Sequence, residues 1–188
     1  LEHCYRTIKD QELGNYTKDN IERLVSFIRK EAKNNSFNKE KLINEFNKNG
    51  IFLAIEPDLK GSKIRGAFRV LNNKPAIYIT PKYKRCADIY FALLHELAHC
   101  KSDFNRAKKG SIISIENHKS KDNYEIKADN TAYNWMVDNN TYNEIIKNKN
   151  YENNNEIKSF LVYRLAANNI IMYNSKLYQN YNKIINIK

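Results

Sequence analysis

Cysteine is scarce in this chain and shows no pairing pattern. The 188 residues include only three cysteines, an odd number, and no C-x-x-C spacing links Cys4, Cys86 and Cys100. A disulfide framework needs cysteines in pairs, and a structural zinc knuckle needs them closely spaced. The sequence therefore predicts neither, and Cys100, which directly follows a histidine, is expected to be a packed thiol.

Long apolar runs are also lacking. The apolar stretches are too short to span a bilayer, and no secretory signal precedes them. Hydrophobic residues still make up 41% of the chain, which is enough to build one domain with a sizeable core. We therefore expect a cytoplasmic protein with a lead-in and helix over 1–35, a core over 36–150 and a helical extension over 151–188.

The chain has no compact block of positive charge, although it is strongly basic. Lysine and arginine total 32 against 21 acidic residues, which gives a formal net charge of +11. Such a balance favours acidic partners, including nucleic acid, but the lysines are scattered among glutamates. The first 50 residues offer only two convincing helices, too few for a helix-turn-helix domain. We expect contact with DNA only indirectly or through a domain upstream of Leu1, since the chain does not begin with methionine.

Hydrophobic periodicity predicts an α+β fold. Apolar residues at helical spacing indicate two helices in the first 50 residues, the second capped by Ser36 or Asn38. Alternating patterns indicate three strands, Ile51–Glu56, Ile64–Leu71 and Pro75–Thr80, the last at a sheet edge because it opens with proline. We expect a small antiparallel or mixed sheet of about three strands, packed against helices and with extra helices at both ends.

The second half of the chain is predicted to be helical apart from one loop. A polar loop is expected over residues 102–121, and Trp135 and Met136 are expected to pack in the core. The helices predicted after this loop lie at 122–137, 142–146, 156–168 and 178–187.

The chemistry is concentrated in the stretch His95-Glu96-Leu-Ala-His99. On a helix, positions i and i+4 share a face, so the two imidazoles can hold one metal ion together. Glu96 projects roughly 100° round the axis from His95, which favours a role as proton acceptor over a role as ligand. Its apolar neighbours predict that this helix runs through the core, where unpaired polar groups are costly. This is the H-E-x-x-H pattern of zinc peptidases, with the glutamate as general base.

A catalytic zinc ion also needs a third protein ligand. Ser102 and Asn105 stand where the longer H-E-x-x-H-x-x-G-x-x-H pattern requires glycine and histidine, so that class is excluded. An acidic residue on the next helix remains, and Glu125 and Asp129 lie there at i and i+4. We expect Glu125 to bind zinc and Asp129 to accept the Nδ1–H of His95.

Other residues near this pattern are alternatives for supporting roles. Asp103 and Asp122 are rival acidic ligands, and His118 in the polar loop is a rival third ligand. Tyr133 and His118 are candidates for stabilising the oxyanion. A histidine in a loop without patterned neighbours is, however, more often simply exposed.

The segment from Phe46 to Asp129 resembles the ImmA/IrrE family of metallopeptidase domains. The similarity lies in the first and third predicted strands, in Gly66-Ala-Phe, in the stretch ending at His99, and in Glu125-x-x-Ala-Asp129. Phe160 to Leu165 resembles the C-terminal helix of members fused to an antitoxin-like or repressor-like helix-turn-helix. The resemblance implies a zincin-like pair of active-site helices.

What the resemblance implies for function is a zinc-dependent endopeptidase that cleaves a helix-turn-helix repressor. Such proteins occur in mobile elements, toxin–antitoxin systems or stress-response operons. The alternative is a sensing or scaffold domain of a regulator that hydrolyses nothing, although the intact Glu96 argues against it. A closed structural metal site is a further alternative, and it would have four protein ligands instead of three.

Overall fold

A computed structural model describes residue 8 and residues 10–57, 61–115 and 122–185. These parts of the chain form eight helices and four strands, which confirms the predicted α+β class. In chain order the elements are α1 (Asp19–Lys33), α2 (Lys39–Lys48), β1 (Phe52–Ile55), β2 (Ile64–Leu71), β3 (Lys74–Ile79), α3 (Cys86–Ser102), α4 (Phe104–Ala107), β4 (Ile112–Ile115), α5 (Asn123–Met136), α6 (Asn139–Asn148), α7 (Lys158–Ala167) and α8 (Lys176–Tyr181).

The sheet is mixed and has the strand order β1-β3-β2-β4. β1 runs parallel to β3, whereas β2 is antiparallel to both β3 and β4. The prediction that β3 forms an edge is wrong, because β3 lies between β1 and β2. Pro75 is the second residue of β3 and pairs with Val70 of β2, but pairing with β1 begins only at Ala76, so the proline stands near the beginning of the strand.

The segment predicted as a polar loop over 102–121 contains two short elements. Helix α4 follows α3 almost directly, and β4 adds a fourth strand beside β2. Along β4, Ile112 and Ser114 are buried whereas Ile113 and Ile115 are exposed. Four residues are too few for this alternation to stand out in a sequence, since a strand averages about 5–6 residues.

Helix α3 is the centre of the molecule. Every residue from Cys86 to Cys100 is buried, and the main hydrophobic cluster joins this helix to α1, the sheet and α7. Cys86 and Cys100 are free, buried thiols. None of the helices in the described ranges is long and apolar enough to cross a membrane.

The chain returns to the beginning of α3 at its C-terminal end. Helix α8 ends at Tyr181, earlier than predicted, and Ile184 then forms a β-bridge with Arg85. The Asn182 side chain accepts a hydrogen bond from the Ala87 N–H at 3.0 Å. Since the side chain of the N-cap residue Arg85 makes no capping hydrogen bond, an asparagine near the C-terminal end of the described residues satisfies one N–H of this helix terminus.

Candidate metal centre and active site

His95 and His99 lie one turn apart on α3, and their Nε2 atoms are 3.1 Å apart. Each Nδ1 atom faces a carboxylate: Asp129 Oδ1 is 2.9 Å from His95, and Asp103 Oδ2 is 2.7 Å from His99. Ionised carboxylates only accept hydrogen bonds, so both histidines carry their proton on Nδ1. Both Nε2 atoms point into the same space, and each would offer its lone pair to a metal ion bound there.

The role of Asp103 was not expected from the sequence, where this residue was only a rival third ligand. It follows α3 directly and is buried, and its backbone N–H donates to the His99 carbonyl oxygen. The spacing of four residues between His99 and Asp103 is the signal that could have indicated it. Asp103 therefore orients His99 as Asp129 orients His95.

Glu125 brings the third set of donor atoms to the two histidines. Its Oε2 lies 3.3 Å from His95 Nε2, and its Oε1 lies 3.1 Å from His99 Nε2. The Asp122 side chain accepts a hydrogen bond from the Glu125 N–H and so caps α5. Asp122 is thus the capping residue that fixes where the helix carrying Glu125 begins.

The three residues fit a metal ion. One donor atom from each of His95, His99 and Glu125 lies within 4.8 Å of the other two. Two imidazole lone pairs and a carboxylate repel one another unless a positive charge lies between them. This donor set, of two nitrogen ligands and one carboxylate, is typical of catalytic zinc.

The electrostatics of these groups also favour positive charge at this position. Burial alone lowers the pKa of His95, but hydrogen bonds to Asp129 and Glu125 outweigh it and raise this pKa to about 9. Partial burial raises the pKa of Glu125, but the two histidines hold it well below its usual range. The surrounding carboxylates therefore stabilise a cation between the imidazoles and Glu125.

Glu96 lies on the sheet side of α3 in a space that Gly66 of β2 leaves open. A Cβ atom added at Gly66 would overlap the Glu96 carboxylate, reaching 2.9 Å from its Cδ. The Glu96 Oε2 atom is buried and has no hydrogen-bond partner among the described residues. Burial raises the pKa of Glu96, while the two imidazoles and Ser114 oppose the shift. Such a carboxylate, buried with one oxygen free, is suited to exchange a proton with a substrate.

Ser114 is a residue of the site that the sequence did not indicate. It lies on β4, and its Oγ is 3.1 Å from His95 Nε2. The sequence predicts a loop over these residues, so no alternating pattern indicates which way the Ser114 side chain faces. The position of β4 brings the edge of the sheet next to the two histidines.

A cavity of about 660 Å³ opens beside these residues and contains His95, Glu96, Glu125 and Asp129 in its wall. Tyr133, a candidate for oxyanion stabilisation, lines it one turn after Asp129 on α5. The other candidate, His118, lies outside the described residues. Aromatic rings form much of the remaining wall: Tyr83, Phe91, Tyr133, Tyr163, Tyr173 and Tyr178.

Comparison with known protein families gives an independent result. The model of the family described as Peptidase U49 matches residues 59–178, more than half of the chain. This range includes His95, His99 and Glu125, which could hold a metal ion, and it agrees with the peptidase function that the resemblance implies. The comparison with curated proteins found no match. The predicted link to a helix-turn-helix domain stays a prediction.

Proposed function

Since this chain belongs to the Peptidase U49 family, we propose that it is a zinc-dependent endopeptidase. The observation that carries the proposal is the meeting of His95, His99 and Glu125 at one point. Their donor atoms come from two helices, yet they surround a common position beside an open cavity. Three protein ligands leave a fourth position for water, as catalysis requires and as a closed structural site would not.

Zinc is the metal that this donor set favours. Two imidazoles and one carboxylate suit zinc better than the oxygen-rich sites of magnesium or calcium. When bound, zinc would supply a Lewis acid that lowers the pKa of a water molecule and polarises a peptide carbonyl.

The protein residues would carry out the proton transfers. Glu96 would take the proton of the attacking water on its free Oε2 and deliver it to the leaving amine. Asp129 and Asp103 would hold the imidazoles in the tautomer that binds the metal. Tyr133 remains our candidate for a hydroxyl that stabilises the oxyanion, because it lines the cavity on the α5 face that carries Glu125 and Asp129.

The edge of the sheet offers a binding place for an extended polypeptide. β4 is the last strand of the sheet order, and Ser114 and Ile115 line the cavity. An extended peptide can add to such an edge through main-chain hydrogen bonds. We therefore propose a protein substrate instead of a small molecule. On the resemblance to the ImmA/IrrE family, we propose that this substrate is a helix-turn-helix repressor in the cytoplasm.

The test is the variant Glu96→Gln, which removes the base and keeps the size of the side chain. We expect it to retain one zinc per chain by elemental analysis and to lose cleavage of a proteome-derived peptide library. The exposed Glu40 of α2 provides the control Glu40→Gln, which should cleave as the unmodified protein does. Cleavage undiminished in Glu96→Gln would overturn the assignment of the base. Bound zinc without any cleavage by the unmodified protein would favour the sensing or scaffold alternative.

A further inference from the structure

Arg65 lies at an irregular position in β2. Ile64 pairs with Ile115 of β4, whereas Gly66 pairs with Ser114, so two steps along β2 match one step along β4. Arg65 is the extra residue of this β-bulge. A bulge interrupts the alternation of side chains and re-aims the side chain it carries. The Arg65 side chain consequently lines the same cavity as Glu96, although its neighbour Gly66 faces that carboxylate.

The guanidinium of Arg65 lies over two neighbouring aromatic rings close to the candidate metal centre, and the centroids of these rings are 5.1 Å apart. Its Cζ lies 4.7 Å from the ring centroid of Phe91 and 5.9 Å from that of Tyr163. Phe91 is one turn before His95 on α3, and the centroids of these two rings are 6.0 Å apart. The charge of Arg65 is therefore one aromatic ring away from a metal-binding histidine.

Arg65 has unused hydrogen-bond donors in this position. Its Nη2 donates to the Tyr163 hydroxyl at 2.5 Å and makes a long contact of 3.5 Å with the Asp88 carbonyl oxygen. Within the described ranges, its Nε and Nη1 atoms have no protein acceptor, and no carboxylate forms an ion pair with it. A guanidinium has five N–H groups in a planar fork that matches a carboxylate.

The carboxylates that share the cavity are engaged elsewhere. Glu96, Glu125 and Asp129 belong to the metal centre. Asp88 Oδ2 accepts hydrogen bonds from the Tyr178 hydroxyl at 3.1 Å and from Asn182 Nδ2 at 2.8 Å. Both bonds fall on Oδ2 and hold the carboxylate towards the C-terminal segment, so that Asp88 attracts Arg65 without forming an ion pair with it.

We propose that Arg65 forms a subsite for a carboxylate of the substrate, next to the peptide bond to be cleaved. This inference rests on the proposed peptidase function and specifies its substrate. The carboxylate comes either from an Asp or Glu side chain or from the C-terminus of a peptide, since both present the same group. Arg65 is a specificity-determining residue in this proposal and takes no part in the proton transfers.

The test measures binding, so it does not depend on turnover. Peptide hydroxamates, whose hydroxamate group binds zinc, are prepared in three forms, and their affinity for the zinc-loaded protein is measured. The first form carries Glu, placed in turn at each position nearest the hydroxamate, and has an amidated C-terminus. The second carries Gln at the same positions and is also amidated, whereas the third carries Gln and has a free C-terminal carboxylate. We expect one carboxylate form to bind at least tenfold more tightly than the Gln form with an amidated C-terminus.

Variants of β2 assign the preference to Arg65. Arg65→Met keeps a long side chain over the two rings and should abolish the preference, whereas Arg65→Lys should keep part of it. Arg69 is exposed on the same strand, outside the cavity, so Arg69→Met is the matched control and should bind as the unmodified protein does. Equal binding of all three probes by the unmodified protein would overturn the proposal. So would a preference that persists in a folded Arg65→Met variant.

The failure of the subsite is distinguishable from the failure of the proposed function. Cleavage of library peptides without enrichment of acidic residues or C-terminal positions would overturn the subsite alone. A carboxylate preference in binding, together with no cleavage of any peptide, would uphold Arg65 as a carboxylate-binding residue and overturn the peptidase assignment.

Discussion

The two histidines of the candidate metal centre are oriented by carboxylates of different origin. Asp103 is four residues from His99, at the end of the same helix, whereas Asp129 comes to His95 from α5, 34 residues away. Glu125 also comes from α5, one turn before Asp129. Half of the site is therefore determined within α3, and the other half exists only when α5 packs against it.

Removal of Glu125 is expected to lower zinc affinity more than the other changes considered below, because it deletes the ligand that α5 would contribute. Glu125→Ala leaves only the two histidines of α3, so zinc affinity should fall by well over the roughly 10–100-fold typical of losing an outer partner. A competition titration with a chromophoric chelator measures the loss. The exposed Glu144 of α6 provides the control Glu144→Ala, and a similar loss there would contradict the assignment.

Glu96 also depends on two elements. The residue belongs to α3, but its carboxylate occupies the space that Gly66 of β2 leaves open. In Gly66→Ala the new Cβ atom would displace the Glu96 carboxylate, which should lower kcat by about 100-fold, at the low end of general acid–base catalysis. Zinc content should not change, because no ligand moves. Ala67 is the next residue of the strand and is also small and buried, so Ala67→Gly is a control for loss of strand stability. Full activity of Gly66→Ala would show that Glu96 needs no such space.

The two outer carboxylates allow the local and the tertiary support to be compared directly. Asp103→Asn and Asp129→Asn each replace a charged acceptor by a neutral one beside a histidine Nδ1–H. Each should lower zinc affinity by roughly 10–100-fold, with little change in the fold. Chelator competition gives both values, and unchanged affinity in either variant would remove that residue from the site. The exposed Asp19 of α1 provides the control Asp19→Asn.

The difference between local and tertiary support also explains which parts of the protein were predictable. The spacing of His95, Glu96 and His99 lies within one helix, and the spacing of Glu125 and Asp129 lies within the next long helix. Both spacings are therefore visible as periodic patterns in the sequence. Their meeting across α3 and α5 depends on packing, and the sequence indicated it only indirectly, through the need for a third ligand and the position of Glu125 on the next predicted helix.

The residues that were missed belong to features without a period. Ser114 lies on a strand of four residues, and Arg65 is aimed by a bulge that exists only because β2 pairs with β4. Pro75 indicated an edge strand, but a proline at the beginning of a strand is compatible with a central one. The hydrogen bond by which Asn182 caps α3 joins positions 95 residues apart, and no local sequence pattern predicts such a contact.

The smallest effect on zinc affinity is expected from a change that weakens the packing of α5 at a distance from the candidate metal centre. Arg29 of α1 donates from Nη1 to the carbonyl oxygens of Trp135 and Met136, both at 2.6 Å, and so holds the end of α5. In Arg29→Met this contact is lost, and zinc affinity should fall by less than tenfold, which is less than about 1.4 kcal/mol. In spectra of the ¹⁵N-labelled zinc protein, the His95 Nδ1–H should exchange faster with solvent while the His99 Nδ1–H stays protected. The exposed Arg23 of the same helix gives the control Arg23→Met. Equal acceleration at both histidines would contradict the division of the site into a part determined within α3 and a part that depends on α5.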